Sequence, residues 1–323
     1  MKRVLISYSP FQTAIALMEN GELIELQYTS SRRTSLVGNI YLGRVEAVQP
    51  NLQAAFVQIG TEKNAYFYYG NHRAASDTEK NKRRPKVGDT ILVQVTKDAV
   101  GLKGAVVTDQ ISLTGRFLVL LPNEPGEIGI SAKIQQNEER NRIHCILEEI
   151  LPSEYGVIVR TNGKGKDKET YMEELTSLLE KKKILDYAAY QKAPALILGE
   201  DRPWAIAVRD FFSPDLDEFV VDNLKIYQEM RQMGYFDGKG QPKLILHQEK
   251  IPLFDSYFIE SKRKKALDRK VWLKSGGFLV IEQTEALAVI DVNTGKSAGK
   301  GDLEKHNLKV NLEAANEAAA QIR

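Results

Sequence analysis

The sequence predicts a multidomain α+β protein. Three observations carry that expectation. The chain has 323 residues, about two domains by size and ample for a sizeable core. Short β-type runs fill it up to about residue 110, and helical periods enter only after that point. Its composition is globular, 42% hydrophobic and 27% charged, which excludes wholesale disorder.

Other classes fall away on the same grounds. No apolar stretch approaches the roughly 18 residues of a membrane span. The start, MKRVLISYSP, lacks the apolar run and cleavage site of a signal peptide. The single cysteine, Cys145, excludes an intrachain disulfide and a Cys-rich zinc site within one chain. A reducing, cytoplasmic setting is therefore expected, with Cys145 as a small buried hydrophobe. The net charge of +2 neither demands nor excludes a nucleic-acid partner, but its distribution is uneven. Lys80, Lys82, Arg83, Arg84 and Lys86 form one basic cluster, Lys164, Lys166 and Lys168 a second, and Lys262–Lys265 with Arg269 and Lys270 a third. Each is either a solvated face or a phosphate contact.

In chain order, residues 1–35 read as strands, with Asn20-Gly21 as a two-residue hairpin turn. NIYLGRVEAV, AAFVQIG, NAYFYY, TILVQVTK and GAVVT then give five short strands without a helical period, the pattern of a small closed barrel such as an OB-fold. RFLVLLP is an apolar strand. Residues 135–150 form a helix with Ile143, Leu147 and Ile150 on one face, and His144 is expected to pack there. YGVIVRT is a buried strand, a charged helix runs from about 167 to 192, and APALILG closes this α+β block. Residues 203–270 alternate helix and strand through WAIAVRDFF, EFVVDN, Tyr227–Met233 and LILHQ. FLVIEQ and ALAVIDV are two strands joined by a tight turn at Thr284–Glu285. The last helix is expected to bury Leu308, Leu312, Ala315, Ala319 and Ile322, at spacings of 4, 3, 4 and 3. It meets no stop signal before Arg323, so the chain reads as cut inside a domain.

The chemistry-bearing residues are few. Asp291 follows the apolar run ALAVI, at the expected end of a buried strand, and Asn293 lies two residues on, on the same side of an extended chain. The pair either supports a metal-bound or water-activating centre, or Asp291 caps a turn with Thr294 and Gly295. Arg160-Thr161 ends the run YGVIV beside Gly163 and lysines; a guanidinium and a hydroxyl there suit a phosphate, or form an ordinary charged strand end. Phe56, Tyr66, Phe67, Tyr68 and Lys103 lie in the barrel region. Rings interleaved with lysines are the composition of a stacking platform for single-stranded nucleic acid, although at least two of these aromatics should be core. His72, His144, His247 and His306 share no metal-ligand spacing. No P-loop, dinucleotide glycine pattern or Gly-x-Ser-x-Gly element is present, and NTGKSAGKGD lacks the Walker spacing.

With these residues in view, TEALAVIDVNTGKSAGKGDLEKHNLKVNLEAANEAAAQIR resembles the catalytic block of the ribonuclease E/G family of endoribonucleases. VGNIYLGRVEAVQPNLQAAFVQIG is similar to that family's S1-type RNA-binding domain, and ISLTGRFLVLLPN with GVIVRTNG to its sensor of RNA 5′-monophosphates. The segment from KIPLFDSYFIES to IEQTEAL is similar to its linking core. The resemblance implies an RNase H-like subdomain over 1–35 and 206–268, an inserted S1-type OB barrel over 36–110, a 5′-sensor over 111–205 and a partial DNase I-like catalytic subdomain over 269–323. It implies Mg²⁺-dependent cleavage of single-stranded RNA, favouring 5′-monophosphorylated ends, in rRNA processing and mRNA decay in the cytoplasm. Asp291 matches the first of two metal-binding aspartates and Asn293 the accompanying asparagine. Arg160 and Thr161 match the 5′-phosphate pair, Gly115 and Val119 that pocket's backbone and packing positions, and Phe56, Tyr66 and Lys103 the RNA contacts of the S1-type domain.

There are departures from the pattern. Tyr66 replaces a phenylalanine, and Ala132-Lys133 stands where the family has a basic pair. The second aspartate and the zinc-linking cysteine pair fall beyond Arg323, so zinc and homo-oligomers are expected only of a longer parent, and this chain is expected to capture metal weakly and to lack full activity. Two other readings compete: a non-catalytic S1-type RNA-binding protein with a degenerate nuclease domain, and a small-molecule hydrolase on an RNase H-like core.

Overall fold

The structure is a computed structural model that describes residues 1–30, 35–70, 84–199, 202–213, 215–236, 241–285, 287–294 and 303–322. The chain divides into two compact units, Thr34–Asp210 and Met1–Arg33 with Phe211–Arg323. His72, the basic residues Lys80, Lys82 and Arg83, and most of NTGKSAGKGD lie outside the described residues.

β1 (Lys2–Ser9), β2 (Gln12–Glu19) and β3 (Glu22–Ser30) form an antiparallel meander. Asn20 and Gly21 turn the β2–β3 hairpin with φ of 51° and 84°, the left-handed pair such a turn requires.

β4 (Ile40–Gln49), β5 (Ala54–Gln58), β6 (Ala65–Tyr68), β7 (Thr90–Lys97) and β8 (Val106–Thr108) are the five expected barrel strands. They run in the order β4-β5-β6-β8-β7, and β7 closes the ring on β4. β6 and β8 pair in parallel, the other neighbours antiparallel. The result is a closed OB-like barrel. Strand alternation sends Val45, Ala55, Val57, Phe67, Val93, Val95 and Val107 inward to form its core.

β9 (Leu113–Thr114), β10 (Leu118–Leu121), β11 (Ile128–Ile130) and β12 (Gly156–Val159) make a second sheet, ordered β11-β12-β10-β9. α1 (Asn137–Ile150) and α2 (Lys168–Asp186) cover it. Ile143, Leu147, Tyr171, Leu175 and Leu178 meet Leu118, Leu120, Val157 and Val159 in one core. The Asp167 side chain caps α2 by accepting from the Thr170 N–H at 2.9 Å. β9 and β11, two and three residues long, are too short to carry a period and do not appear in the sequence reading. Cys145 is exposed, not buried, and His144 is exposed beside it with its Nδ1 3.4 Å from Glu148. Both lie off the Ile143–Leu147 stripe that faces the sheet. β13 (Ala195–Leu198) pairs antiparallel with barrel strand β4 and does not extend the second sheet.

After α3 (Pro203–Phe211), β14 (Glu218–Val221) adds to β1 in parallel. α4 (Leu224–Gln232), capped by Asn223, leads back to β15 (Lys243–Leu246), parallel to β14, as a parallel connection requires. The sheet order is β15-β14-β1-β2-β3. α5 (Leu253–Ser256) and α6 (Ile259–Ala266) seat Leu253 and Ile259 on Leu5, Ala16, Met18 and Val220. The third basic cluster largely rides on α6, where Arg263 pairs with Glu260 at 2.8 Å and Lys262 approaches Glu22 at 3.8 Å.

β16 (Lys270–Trp272), β17 (Phe278–Gln283) and β18 (Ala288–Asn293) form an antiparallel sheet. α7 (Leu303–Ile322) packs on it through Val310 and Ala314, against Val271, Leu273 and Leu279. The expected stripe is not the buried one: Leu308, Leu312, Ala315, Ala319 and Ile322 are all exposed. The helix carries apolar residues on two separate sides. The sheet takes the side with Val310, Ala314 and Ala318, whose small side chains allow close approach. Among the described residues no helix is long and apolar enough to cross a membrane.

Candidate nucleic-acid interface and metal centre

The barrel exposes a continuous cross-strand row. Ala47 pairs with Phe56, Phe56 with Tyr66, Tyr66 with Val106, and Val106 with Lys97. Phe56 and Tyr66 are half-buried and meet edge to face, with ring centroids 6.1 Å apart. Of the aromatics singled out in the sequence, Phe67 is core at 4% exposure, while Tyr68 stays 40% exposed. Lys103 is exposed in the bridge that pairs it with Val100. Lys63 Nζ donates to Gly101 O at 2.6 Å and steadies that loop. Lys97 joins the row although the sequence reading passed over it.

In the second sheet Arg160 directly follows β12, as expected, and its N–H donates to Phe117 O at 2.7 Å. Its guanidinium is fixed twice: Nη1 donates to Gly115 O and Nη2 to Asp210 Oδ1, both at 2.7 Å. Burial raises the Asp210 carboxyl, but Arg209 and Arg160 outweigh it and hold the group below the usual carboxylate range. Thr161 Oγ1 lies 3.1 Å from Ser131 Oγ, at the end of β11. The following turn is held by the buried Tyr171 hydroxyl, which donates to Gly163 O at 2.5 Å; burial pushes that phenol up to about 12. Val119 pairs with Ile158 in β12 and with Thr114 in β9.

The turn after Gly115 points three consecutive N–H groups, from Arg116, Phe117 and Leu118, at the Glu174 carboxylate, at 2.6, 2.7 and 2.7 Å. A Cβ on Gly115 would stand 2.9 Å from Glu174 Cδ, so glycine is the residue that lets the carboxylate in. Burial pushes the Glu174 carboxyl up, against the pull of those three bonds. Lys166 Nζ and Arg116 Cζ lie 5.1 and 4.7 Å from the Phe117 ring centroid. On α1, Glu139 accepts from Arg142 Nε and Nη2 at 2.8 Å and from Gly165 N at 2.7 Å, and its carboxyl is lowered to about 2.

Asp291 departs from expectation. It is the fourth of six residues of β18, paired with Val280, and exposed rather than set at the end of a buried strand. β18 lies at one edge of a three-stranded sheet, so its apolar run is only half covered. The pairing with Asn293 does hold: Asn293 Nδ2 donates to Asp291 Oδ2 at 2.9 Å. The Asn293 amide oxygen and the Asp291 carboxylate are hard donors on one sheet face, the kind Mg²⁺ takes beside waters and phosphate. Among the described residues no group of three or more His, Cys, Asp and Glu side chains gathers to hold a metal.

Sequence reasoning missed Ser131, Glu174 and Asp210. Each meets its partner 30 to 58 residues away in the chain, and each resembles an ordinary polar surface residue in its local window.

The chain is similar to known proteins over nearly its whole length. A model of the Ribonuclease E/G family matches residues 112–323. The chain is 34% identical to ribonuclease G of Haemophilus influenzae, over 99% of this chain and 68% of that protein. It is 32% identical to ribonuclease G of Escherichia coli K12, over 99% and 68%. It is 35% identical to ribonuclease E of Escherichia coli K12, over 100% of this chain but 32% of that protein.

Proposed function

Since the chain belongs to the ribonuclease E/G family, we propose that it binds unpaired RNA on its barrel and serves a Mg²⁺-dependent phosphodiester hydrolysis at Asp291. The observation that carries this reading is the Asp291–Asn293 pair, hydrogen-bonded at 2.9 Å on an open sheet face inside the matched region. The barrel supports it with the outward Phe56–Tyr66 pair and the lysines beside it, which grip single strands without regard to sequence. The order β3-β2-β1-β14-β15, antiparallel and then parallel, supports an RNase H-like subdomain, into which the barrel and the 5′-sensor are inserted.

In this mechanism Asp291 would hold the ion, and Asn293 would orient the carboxylate or a water beside it. Asn293 Nδ2 donates to one oxygen of that carboxylate, which would leave the other for a metal. A bound Mg²⁺ supplies charge stabilisation and an acidified water. Phe56 and Tyr66 stack bases of the unpaired strand. Arg160, aimed by Gly115 O and Asp210, together with Thr161, rewards a 5′-monophosphate, which carries more charge than an internal diester. Processing of rRNA precursors and decay of mRNA are the roles that fit such an activity.

The experiment is a cleavage assay on 5′-monophosphorylated single-stranded RNA with and without Mg²⁺, comparing the native chain and Asp291→Asn. Slow cleavage that needs the metal, and is lost in Asp291→Asn, is expected. Undiminished cleavage in the variant would remove Asp291 from the centre.

A further inference from the structure

The β16–β17–β18 sheet has two unlike faces. One packs on α7 through Val271 and Leu279. The other is ordered by register into two rows. Trp272 pairs with Phe278 and Phe278 with Asn293; Lys270 pairs with Val280 and Val280 with Asp291. Directly opposed residues share a face, so Trp272, Phe278 and Lys270 stand on the same side as the Asp291–Asn293 pair. Two strand spacings, about 10 Å, separate Trp272 from Asn293.

These three side chains are already organised. The Trp272 and Phe278 ring centroids are 5.2 Å apart. Lys270 Nζ lies 4.0 Å from the Trp272 centroid and 3.7 Å from that of Phe278. Trp272 is nonetheless 65% exposed, a large aromatic surface left in water next to a fixed ammonium.

We propose that Trp272, backed by Phe278 and Lys270, is a stacking platform for an unpaired nucleobase that flanks the phosphodiester to be cleaved beside Asp291. The inference rests on the ribonuclease reading above and adds to it a substrate-positioning site apart from the barrel. An exposed indole offers a π-face to any base, and the ammonium meets the charge of the adjoining phosphate. The shared register sets the platform and the carboxylate on one rigid sheet, so the stacked nucleotide aligns the bond to be cut. An apolar peptide would meet the same indole, but it has no use for the ammonium and carboxylate beside it.

The chain's two tryptophans make the test direct. Trp204 is 7% exposed and lies in the other compact unit, so Trp204→Phe leaves Trp272 as the sole reporter. An Asp291→Asn background keeps the strand intact in Mg²⁺. An unpaired, end-labelled oligoribonucleotide is titrated in, with anisotropy reporting binding and indole emission reporting stacking. Emission should be quenched on saturation. Trp272→Ala should weaken binding about fivefold or more, and Trp272→Phe should restore most of it. Binding with unchanged emission, or with unchanged affinity in Trp272→Ala, would overturn the platform and leave the ribonuclease reading standing. A chain that binds no RNA at all would overturn both.

Discussion

Arg160 donates to Asp210 Oδ1 at 2.7 Å, so the guanidinium at the end of β12 is already half neutralised by a carboxylate 50 residues away in the chain. The side chains are 25% and 34% exposed, so the pair is neither buried nor free. Asp210 both aims Arg160 and competes with any anion that approaches it.

Asp210→Asn keeps an acceptor for Arg160 and removes the charge. Affinity for 5′-monophosphorylated over 5′-hydroxyl RNA should rise about two- to fivefold at low salt, the scale of a partly exposed ion pair. Arg160→Ala should abolish the preference. Competition binding with the two oligonucleotides measures both. An unchanged preference in Arg160→Ala would place the phosphate elsewhere.

Phe56 and Tyr66 point outward and Phe67 inward, so their truncations should separate. Phe56→Ala with Tyr66→Ala should weaken single-stranded RNA binding by about 1–3 kcal/mol per lost stack, with the melting temperature nearly unchanged. Phe67→Ala should cost about 3–5 kcal/mol of stability. Anisotropy and thermal denaturation on the same samples distinguish the two outcomes; equal loss of stability in both would refute the outward assignment.

Glu174 fills a turn by accepting from its three N–H groups. Glu174→Ala should destabilise the chain by at least about 2 kcal/mol, because buried donors lose their acceptor. Gly115→Ala should also destabilise, through the 2.9 Å approach to Glu174 Cδ. The carboxyl is raised above its ordinary 4.5, so its contribution is fully present below that value and declines as pH rises through the raised one. The stability gap between native chain and Glu174→Gln should therefore shift against the native chain with rising pH, as chemical denaturation at several pH values would read.

Glu139 behaves oppositely. The side-chain bonds from Arg142 and the backbone bond from Gly165 hold it at about 2, against an ordinary 4.5. Its contribution is present above 4.5 and is lost as pH falls towards about 2. Glu139→Gln should flatten acid unfolding over that window. An acid limb identical to that of the native chain would mean that the Arg142 pair persists in the unfolded state.

The features legible in the sequence were local ones. The Asn20-Gly21 hairpin, the five barrel strands and the Ile143–Leu147 helix face were legible because each is set by side-chain alternation or turn chemistry within a few residues. The Asp291–Asn293 contact was legible for the same reason, being two residues apart on one strand. Tertiary structure decided the rest. Periodicity marked Leu308, Leu312, Ala315, Ala319 and Ile322 as the buried stripe of the last helix, whereas packing against Val271 and Leu279 selected Val310 and Ala314. The apolar run before Asp291 suggested a buried strand, yet strand order left it at an edge. Asp210, Glu174 and Ser131 gained their partners through long-range approach. So did Trp272, which shares a face with Asp291 because β17 registers between them. Such pairings depend on how strands and helices are brought together, and local patterning does not encode that directly.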